Sequence, residues 1–180
     1  MQDTLVLVLR FAFGLLSLLF WFRFILQLSD ADRFNPISQA VVQASDKICS
    51  PLRKLLPNTS PLDLASLIMA FVVGIAFVLT LQALTPSGVA GISVLALVIA
   101  AFKWSIFQLT QFYFWIIIIM VIASFIAPGN YNPVLDLINQ LVSPIMSRLR
   151  KVIPPFGPLD LSPMIALLVI FVIQNLVSSI

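Results

Sequence analysis

Two short charged sequences recur in this chain with the same internal spacing. Arg53-Lys54 is followed, ten residues after the arginine, by Asp63, and Arg150-Lys151 is followed in the same way by Asp160. A guanidinium and a carboxylate form a strong ion pair if the chain between them folds back. These residues therefore predict ion pairing within the chain, or the binding of an anionic lipid or partner by the basic pairs.

The composition excludes most catalytic and metal-binding chemistry. The 180 residues include no histidine and no glutamate, and Cys49 is the one cysteine. A Ser-His-Asp or Cys-His catalytic set, a histidine-ligated metal or haem and an intrachain disulfide therefore cannot be built. We expect no catalytic, cofactor-binding or metal-binding residue, no cofactor and no nucleic-acid partner.

The chain has the composition of an integral membrane protein. It is 61% hydrophobic and 9% charged, whereas a soluble domain carries about a quarter charged residues. Apolar stretches of about 18 residues or more are typical of membrane-spanning helices. Four such stretches are present: Leu5–Leu28, Leu62–Leu84, Gly88–Ala127 and Leu161–Ile180. They predict an all-α, polytopic helical membrane protein.

A block of 30 residues occurs twice without a gap, 97 positions apart, and 13 of the 30 aligned pairs are identical. A fixed period of this kind indicates repeated architecture. The repeat-defining residues occur in equivalent pairs: Asn35 and Asn132, Pro36 and Pro133, Pro57 and Pro154, Asp63 and Asp160. We predict a first repeat at 1–84, an apolar connector at 85–100 and a second repeat at 101–180, each built as span, interfacial amphipathic helix and span.

The stretch Gly88–Ala127 is too long for one simple crossing. As a single helix it would measure about 60 Å, against a bilayer core of about 30 Å. We therefore expect residues 88–100 to form a re-entrant or interfacial segment. If that segment crosses the membrane instead, the protein has five spans and inverted repeats, which are typical of transporters.

The basic residues predict the orientation. Seven of the ten lie in or beside the two repeated blocks: Arg33, Lys47, Arg53, Lys54, Arg148, Arg150 and Lys151. Because basic loops stay in the cytoplasm, both blocks should face it. This pattern predicts four spans, with both termini outside and the two repeats parallel.

Each repeated block is expected to contain a short amphipathic helix along the membrane face. Asn35 and Asn132 are good N-caps, and the proline after each suits the first helical position. We expect Pro51 and Pro144 to end or kink these helices. The apolar stripes are predicted to comprise Ile37, Val41, Ala44 and Ile48 in the first copy and Val134, Leu137, Ile138, Leu141 and Ile145 in the second.

Asp63 and Asp160 stand at the beginning of the second span of each repeat. Each is expected to cap that helix, where the helix dipole favours a negative charge. If capping is the whole role, asparagine in either place costs little. The further interpretation pairs each aspartate with the preceding Arg-Lys dipeptide, which would fasten the loop to the span.

Two arginines and a glutamine lie within the first span: Arg10, Arg23 and Gln27. Charges inside a membrane are costly and often functional. Arg23 is near the predicted cytoplasmic end, however, so we expect its side chain to reach the membrane surface. Neither arginine has a charged equivalent in the second repeat, where the aligned residues are Phe107 and Met120.

At these motifs the chain resembles the YggT family of bacterial membrane proteins, related to the YlmG proteins of bacteria and plastids. The resemblance covers nearly the whole chain and rests on the doubled Asn-Pro, the Arg-Lys-hydrophobic-hydrophobic-Pro run and the Asp-Leu that opens the following span. Asp160-Leu161-Ser162-Pro163 is similar to the usual family form, and the first copy departs from it at Ala65-Ser66. The resemblance implies a role in osmotic-stress tolerance and potassium or ion homeostasis, with YlmG links to cell division, plastid nucleoids and cytochrome assembly.

Two functional hypotheses follow. The first is a non-enzymatic membrane factor that scaffolds or assists envelope proteins, with Arg53, Lys54, Arg150 and Lys151 contacting anionic lipid, a membrane-protein partner or another copy of the chain. The second is a small oligomeric channel or ion-flux protein. Its candidate polar lining comprises Arg10, Arg23, Gln27, Gln108 and Gln111.

Overall fold

The computed structural model describes residues 2–56, 62–126, 132–152 and 160–179. Every regular element among them is helical, which confirms the all-α prediction. Six α-helices follow in chain order: α1 Gln2–Leu28, α2 Pro36–Arg53, α3 Leu64–Ala83, α4 Val94–Ile126, α5 Pro133–Val152 and α6 Ser162–Ser179. Pro57 and Pro154 of the repeated motif lie outside the described residues.

Four of these helices, α1, α3, α4 and α6, are long and apolar enough to cross a membrane. The two others, α2 and α5, occupy the repeated blocks. Each half of the chain therefore has the predicted order of span, amphipathic helix and span.

The connector between the repeats is shorter than predicted. A single 3-10 turn occupies Val89–Gly91, and α4 then begins at Val94. The expectation of a separate re-entrant or interfacial segment at 88–100 is wrong, because no glycine or proline interrupts the sequence from Val94 to Ile126 and the apolar residues continue the helix. With 33 residues, α4 is about 50 Å long and exceeds the bilayer core.

The two amphipathic helices begin in the same way. The Asn35 side-chain oxygen accepts a hydrogen bond from the Ile37 backbone N–H at 2.9 Å, and Asn132 accepts from Val134 at 2.9 Å. A proline follows each cap and completes the predicted N-terminus. Neither helix ends at its internal proline, since α2 continues past Pro51 and α5 past Pro144.

The buried faces of the two amphipathic helices differ. The buried residues of α5 are all apolar: Leu137, Ile138, Leu141, Val142 and Met146. Those of α2 are mostly small and polar: Ser38, Val41, Ser45 and Cys49. The apolar stripe predicted for α2 is wrong in register, because Ala44 and Ile48 are exposed. The reason is a charged side chain of α1 that α2 must accommodate.

The spans pack through close contacts between small residues. α4 contacts α1, α3 and α6, so that the first span of the second repeat packs on both spans of the first. A Cβ added to Gly74 of α3 would come within 2.9 Å of the Ala101 carbonyl oxygen of α4. Such close approach of backbones is typical of membrane helices, which lack a hydrophobic force between them.

Candidate functional site

Arg23 lies near the end of α1 and is enclosed by protein. Its side chain is only 6% exposed. The expectation that it reaches the membrane surface is therefore wrong. α2 and the residues before α3 close around the guanidinium and supply acceptors for it, so a buried position is compatible with the charge.

The Arg23 guanidinium donates to four acceptors on two elements. Nη1 donates to the Val42 carbonyl oxygen at 2.8 Å and to Ser45 Oγ at 2.6 Å. Nη2 donates to Asp46 Oδ1 at 2.5 Å, and Nε donates to Asp63 Oδ2 at 2.9 Å. The planar fork of arginine suits several fixed acceptors at once. Arg23 thereby joins α1 to α2 and to the beginning of α3.

Arg53 completes a closed set of charges around these aspartates. Its Nη1 donates to Asp46 Oδ1 at 2.9 Å, and its Nη2 pairs with Asp63 Oδ2. Arg23, Asp46, Arg53 and Asp63 thus form what we call the ion-pair network, in which two positive and two negative charges balance. Arg23 and Asp63 are the buried members, so removing either leaves an uncompensated buried charge and is strongly destabilising.

Asp63 serves both as a cap and as an ion-pair partner. Oδ1 accepts from the Ser66 backbone N–H at 3.2 Å, and the Ser66 hydroxyl donates to Oδ2 at 2.8 Å. Burial alone would raise the pKa of this carboxyl, but hydrogen bonds from Arg53, Ser66 and Arg23 outweigh it and hold the pKa below its ordinary range. Asp63 is therefore ionised at neutral pH.

Cys49 is buried beside the same serine, with its sulfur 3.7 Å from Ser66 Oγ. Burial raises the pKa of the Cys49 thiol. A neutral, enclosed thiol of this kind is a packing residue and a poor nucleophile.

The second repeat has a reduced version of the network. Arg150 Nε and Nη2 donate to Asp160 Oδ2 at 2.9 and 2.6 Å, and Asp160 Oδ1 accepts from the Ser162 backbone N–H at 2.9 Å. Hydrogen bonds from Ser162, and then from Arg150, hold the pKa of Asp160 below its usual value. Both side chains are exposed, by 57% and 36%, so solvent screens this pair.

The buried half of the network has no equivalent in the second repeat. With the offset of 97 residues, Arg23 aligns with Met120, Ser45 with Val142 and Asp46 with Ser143. Met120 packs against the apolar core that includes Val142. The same architectural position is therefore ionic in the first repeat and apolar in the second.

In each Arg-Lys pair the arginine bonds to an aspartate of the protein, and the lysine points away from it. Each arginine is bound to an aspartate, whereas Lys54 and Lys151 form no ion pair within the described ranges. Lys151 and Lys54, the latter just after the end of α2, are both exposed. Of the four residues predicted to contact lipid or a partner, the two lysines are thus the available ones.

The two repeated blocks meet at one end of the helical bundle. The Asn35 side-chain amide donates to the Pro133 carbonyl oxygen at 2.7 Å, and the Asp32 backbone N–H donates to Gln140 Oε1 at 2.7 Å. Asn35 therefore both caps α2 and fastens it to the start of α5. These contacts fix the two amphipathic helices beside each other.

A cavity of about 530 Å³ lies beside the ion-pair network, between the end of α1, α2 and the start of α3. Arg23 and Gln27 line it, as do Arg53 and Asp63. Arg10 does not belong to this site, because it lies thirteen residues earlier in α1 and is exposed. Of the predicted intramembrane polar residues, the structure brings Arg23 and Gln27 together and leaves Arg10 apart.

Sequence reasoning missed two members of the site, Ser45 and Asp46. The apolar stripe predicted for α2 includes neither of them. One available signal is the spacing of Asp46 and Arg53, which are seven residues apart and therefore on the same face after two helical turns. The other is Arg23 itself, since an arginine in a span requires a counter-charge nearby.

Comparison with known proteins finds matches to each of the two repeats. The CCB3/YggT family model matches residues 2–84 and 92–180. An uncharacterized protein of Pseudomonas aeruginosa is 38% identical over 181 residues, covering 98% of this chain and 89% of that protein. The uncharacterized protein YggT of Escherichia coli K12 is 29% identical over 174 residues, covering 96% and 88%. No solved structure matches the chain.

Proposed function

Since this chain belongs to the CCB3/YggT family, we propose that it is a non-enzymatic, multi-pass factor of the bacterial inner membrane that scaffolds or assists other envelope proteins. Its physiological setting is osmotic-stress tolerance and ion homeostasis, potassium in particular. The observation that carries this proposal is the fastening of both amphipathic helices to one end of the bundle. A fixed pair of surface helices provides a docking platform and requires no reactive group.

The platform has the chemistry of a surface for anionic lipid or a partner helix. The outward-facing lysines of the two repeated blocks are Lys47, Lys54 and Lys151, and Ile48 of α2 is exposed on the same face as Lys47. Basic side chains beside apolar anchors bind acidic headgroups or the acidic face of an amphipathic helix. The basic character also supports a cytoplasmic location for this face. The proposed partners are anionic lipid and a membrane protein or a second copy of the chain.

The channel hypothesis gains no support from the described residues. Arg23 is held by the ion-pair network, and Gln111 Oε1 accepts a hydrogen bond from Gln174 Nε2 of α6 at 3.1 Å. A polar pore lining needs side chains that face water, and these two face protein. Arg10 and Gln27 are exposed, but they lie far apart along α1.

The test is complementation of a strain that lacks the gene, grown under hyperosmotic stress and at limiting potassium. Lys54→Glu combined with Lys151→Glu should abolish rescue, because it reverses the outward charges and leaves the ion-pair network intact. Lys54→Arg with Lys151→Arg is the matched control and should rescue fully. Full rescue by the glutamate variant, at equal protein level, would mean that the basic surface of the platform is not required for function.

A further inference from the structure

The cavity beside the ion-pair network is lined by one positive and one negative side chain that have no ion-pair partner among the described residues. Arg33 and Asp30 both line it, and neither forms an ion pair with any residue in the described part of the chain. Arg23 and Arg53 also line the cavity, but Asp46 and Asp63 already balance them. A ligand would therefore meet a cationic and an anionic group in one pocket.

Asp30 occupies a position that disfavours an aspartate. It adopts a φ of +48° just after α1, where its backbone N–H donates to the Gln27 carbonyl at 3.2 Å and the Ala31 N–H donates to Leu26 at 3.0 Å. Glycine or asparagine is the usual residue at this left-handed helix end, and the helix dipole there repels a negative charge. The carboxylate is therefore costly to the fold where it stands.

We propose that this cavity binds the headgroup of a zwitterionic aminophospholipid, with the phosphate held by Arg33 and the ammonium held by Asp30. The volume lies within the range of about 300–1,000 Å³ that ligand pockets occupy. Apolar residues such as Leu26, Leu56 and Leu62 form the rest of its wall and suit the glycerol and upper acyl segments. The site lies where the last turn of a span meets an interfacial helix, which is the depth of headgroups. The proposal goes beyond the scaffolding role and does not depend on it.

The test is native mass spectrometry of the full chain in detergent, titrated separately with phosphatidylethanolamine, phosphatidylcholine and phosphatidylglycerol. Phosphatidylethanolamine should bind about tenfold more tightly than either of the others, because its headgroup alone has a cationic N–H donor for the Asp30 carboxylate. The choline nitrogen has no N–H, and the hydroxyls of phosphatidylglycerol are neutral. Soluble glycerophosphoethanolamine is the competitor that separates the two sources of this headgroup. It should displace the lipid weakly, since it lacks the acyl segments.

Two variants and one control assign the contacts. Arg33→Gln should weaken the binding of all three lipids about tenfold, and Asp30→Asn, which suits the left-handed turn, should remove the preference for phosphatidylethanolamine over phosphatidylglycerol. The control Arg148→Gln removes an exposed charge from α5 and should change nothing.

Several results would overturn the proposal. Equal affinity for the three lipids would mean that the cavity does not discriminate between headgroups. An equal effect of Arg33→Gln and Arg148→Gln would mean that general surface charge governs binding. Displacement by glycerophosphoethanolamine at the affinity of the lipid would mean that the ligand is soluble.

Discussion

Asp63 and Asp160 show how one motif residue acquires two energetic roles. Both cap a span and both accept from the arginine ten residues earlier. Asp63 is nearly enclosed and also accepts from Arg23, whereas Asp160 is exposed and has one arginine. The same Asp-Leu sequence therefore caps a helix in both repeats, but the aspartate forms buried ion pairs in the first repeat and a solvent-exposed ion pair in the second.

We expect Asp63→Asn and Asp160→Asn to differ sharply in stability, although asparagine caps a helix about as well as aspartate. Asp63→Asn removes the charge that balances two arginines and should lower the free energy of unfolding by about 3 kcal/mol or more. Asp160→Asn is the matched control and should have a much smaller effect. Unfolding of both variants in mixed detergent micelles measures the difference. Equal losses of unfolding free energy would mean that Asp63 contributes only as a helix cap.

The lowered pKa of Asp63 gives the same comparison a pH dependence. A carboxyl whose pKa is lower in the folded state contributes stability that is present above its ordinary value, 3.8, and is lost as pH falls through the folded value. The wild-type protein should therefore lose stability below about pH 4, and Asp63→Asn should flatten that part of the curve. If Asp63→Asn lost stability below pH 4 as steeply as the wild-type protein, Asp63 would not be the group responsible for that loss.

At the scale of elements, sequence predicts what depends on local pattern. The spans follow from apolar length, and the beginnings of α2 and α5 follow from Asn35 and Asn132 with their prolines. The register of α2 does not follow, because hydrophobic periodicity assumes an apolar neighbour. Arg23 of α1 draws Ser45 and Asp46 inward and turns Ala44 and Ile48 outward. Only the pairing of elements distant in sequence determines that rotation.

The second repeat supplies the substitutions that test this explanation of α2. Arg23→Met alone introduces the aligned residue of α4, leaves the aspartates short of one positive charge, and should cost about 3–5 kcal/mol of unfolding free energy. Adding Ser45→Val and Asp46→Ser, the aligned residues of α5, should restore most of that loss. The triple variant removes one charge of each sign and leaves Arg53 paired with Asp63, and removing opposite charges together costs much less than leaving one of them uncompensated.

Detergent unfolding of the single and triple variants gives the comparison directly, and Ser45→Val alone serves as the control for added volume. A triple variant as unstable as Arg23→Met would mean that the first repeat requires the ion-pair network for more than balanced charge.

At the scale of the whole molecule, two copies of one pattern have become unequal partners. The first repeat holds its amphipathic helix by buried charges, and the second holds its own by apolar packing of Leu137, Leu141 and Met146. The first also carries the cavity. Sequence identity between the copies predicts the common architecture, but the residues that differ determine where ionic and ligand-binding chemistry can reside.

The contact between Asn35 and Pro133 requires both repeated blocks to lie at the same end of the bundle. Four membrane-spanning helices place that end on one side, and the basic residues favour the cytoplasm. Single cysteines at the aligned, exposed positions Ser50 and Ser147, in a Cys49→Ser background, should therefore both react with an impermeant maleimide only after the cells are opened. A cysteine at exposed Ser87, in the connector at the other end, should react in intact cells. Labelling of Ser50 and Ser147 from opposite sides would require an odd number of crossings between them and would separate two helices that the fold holds by a direct hydrogen bond.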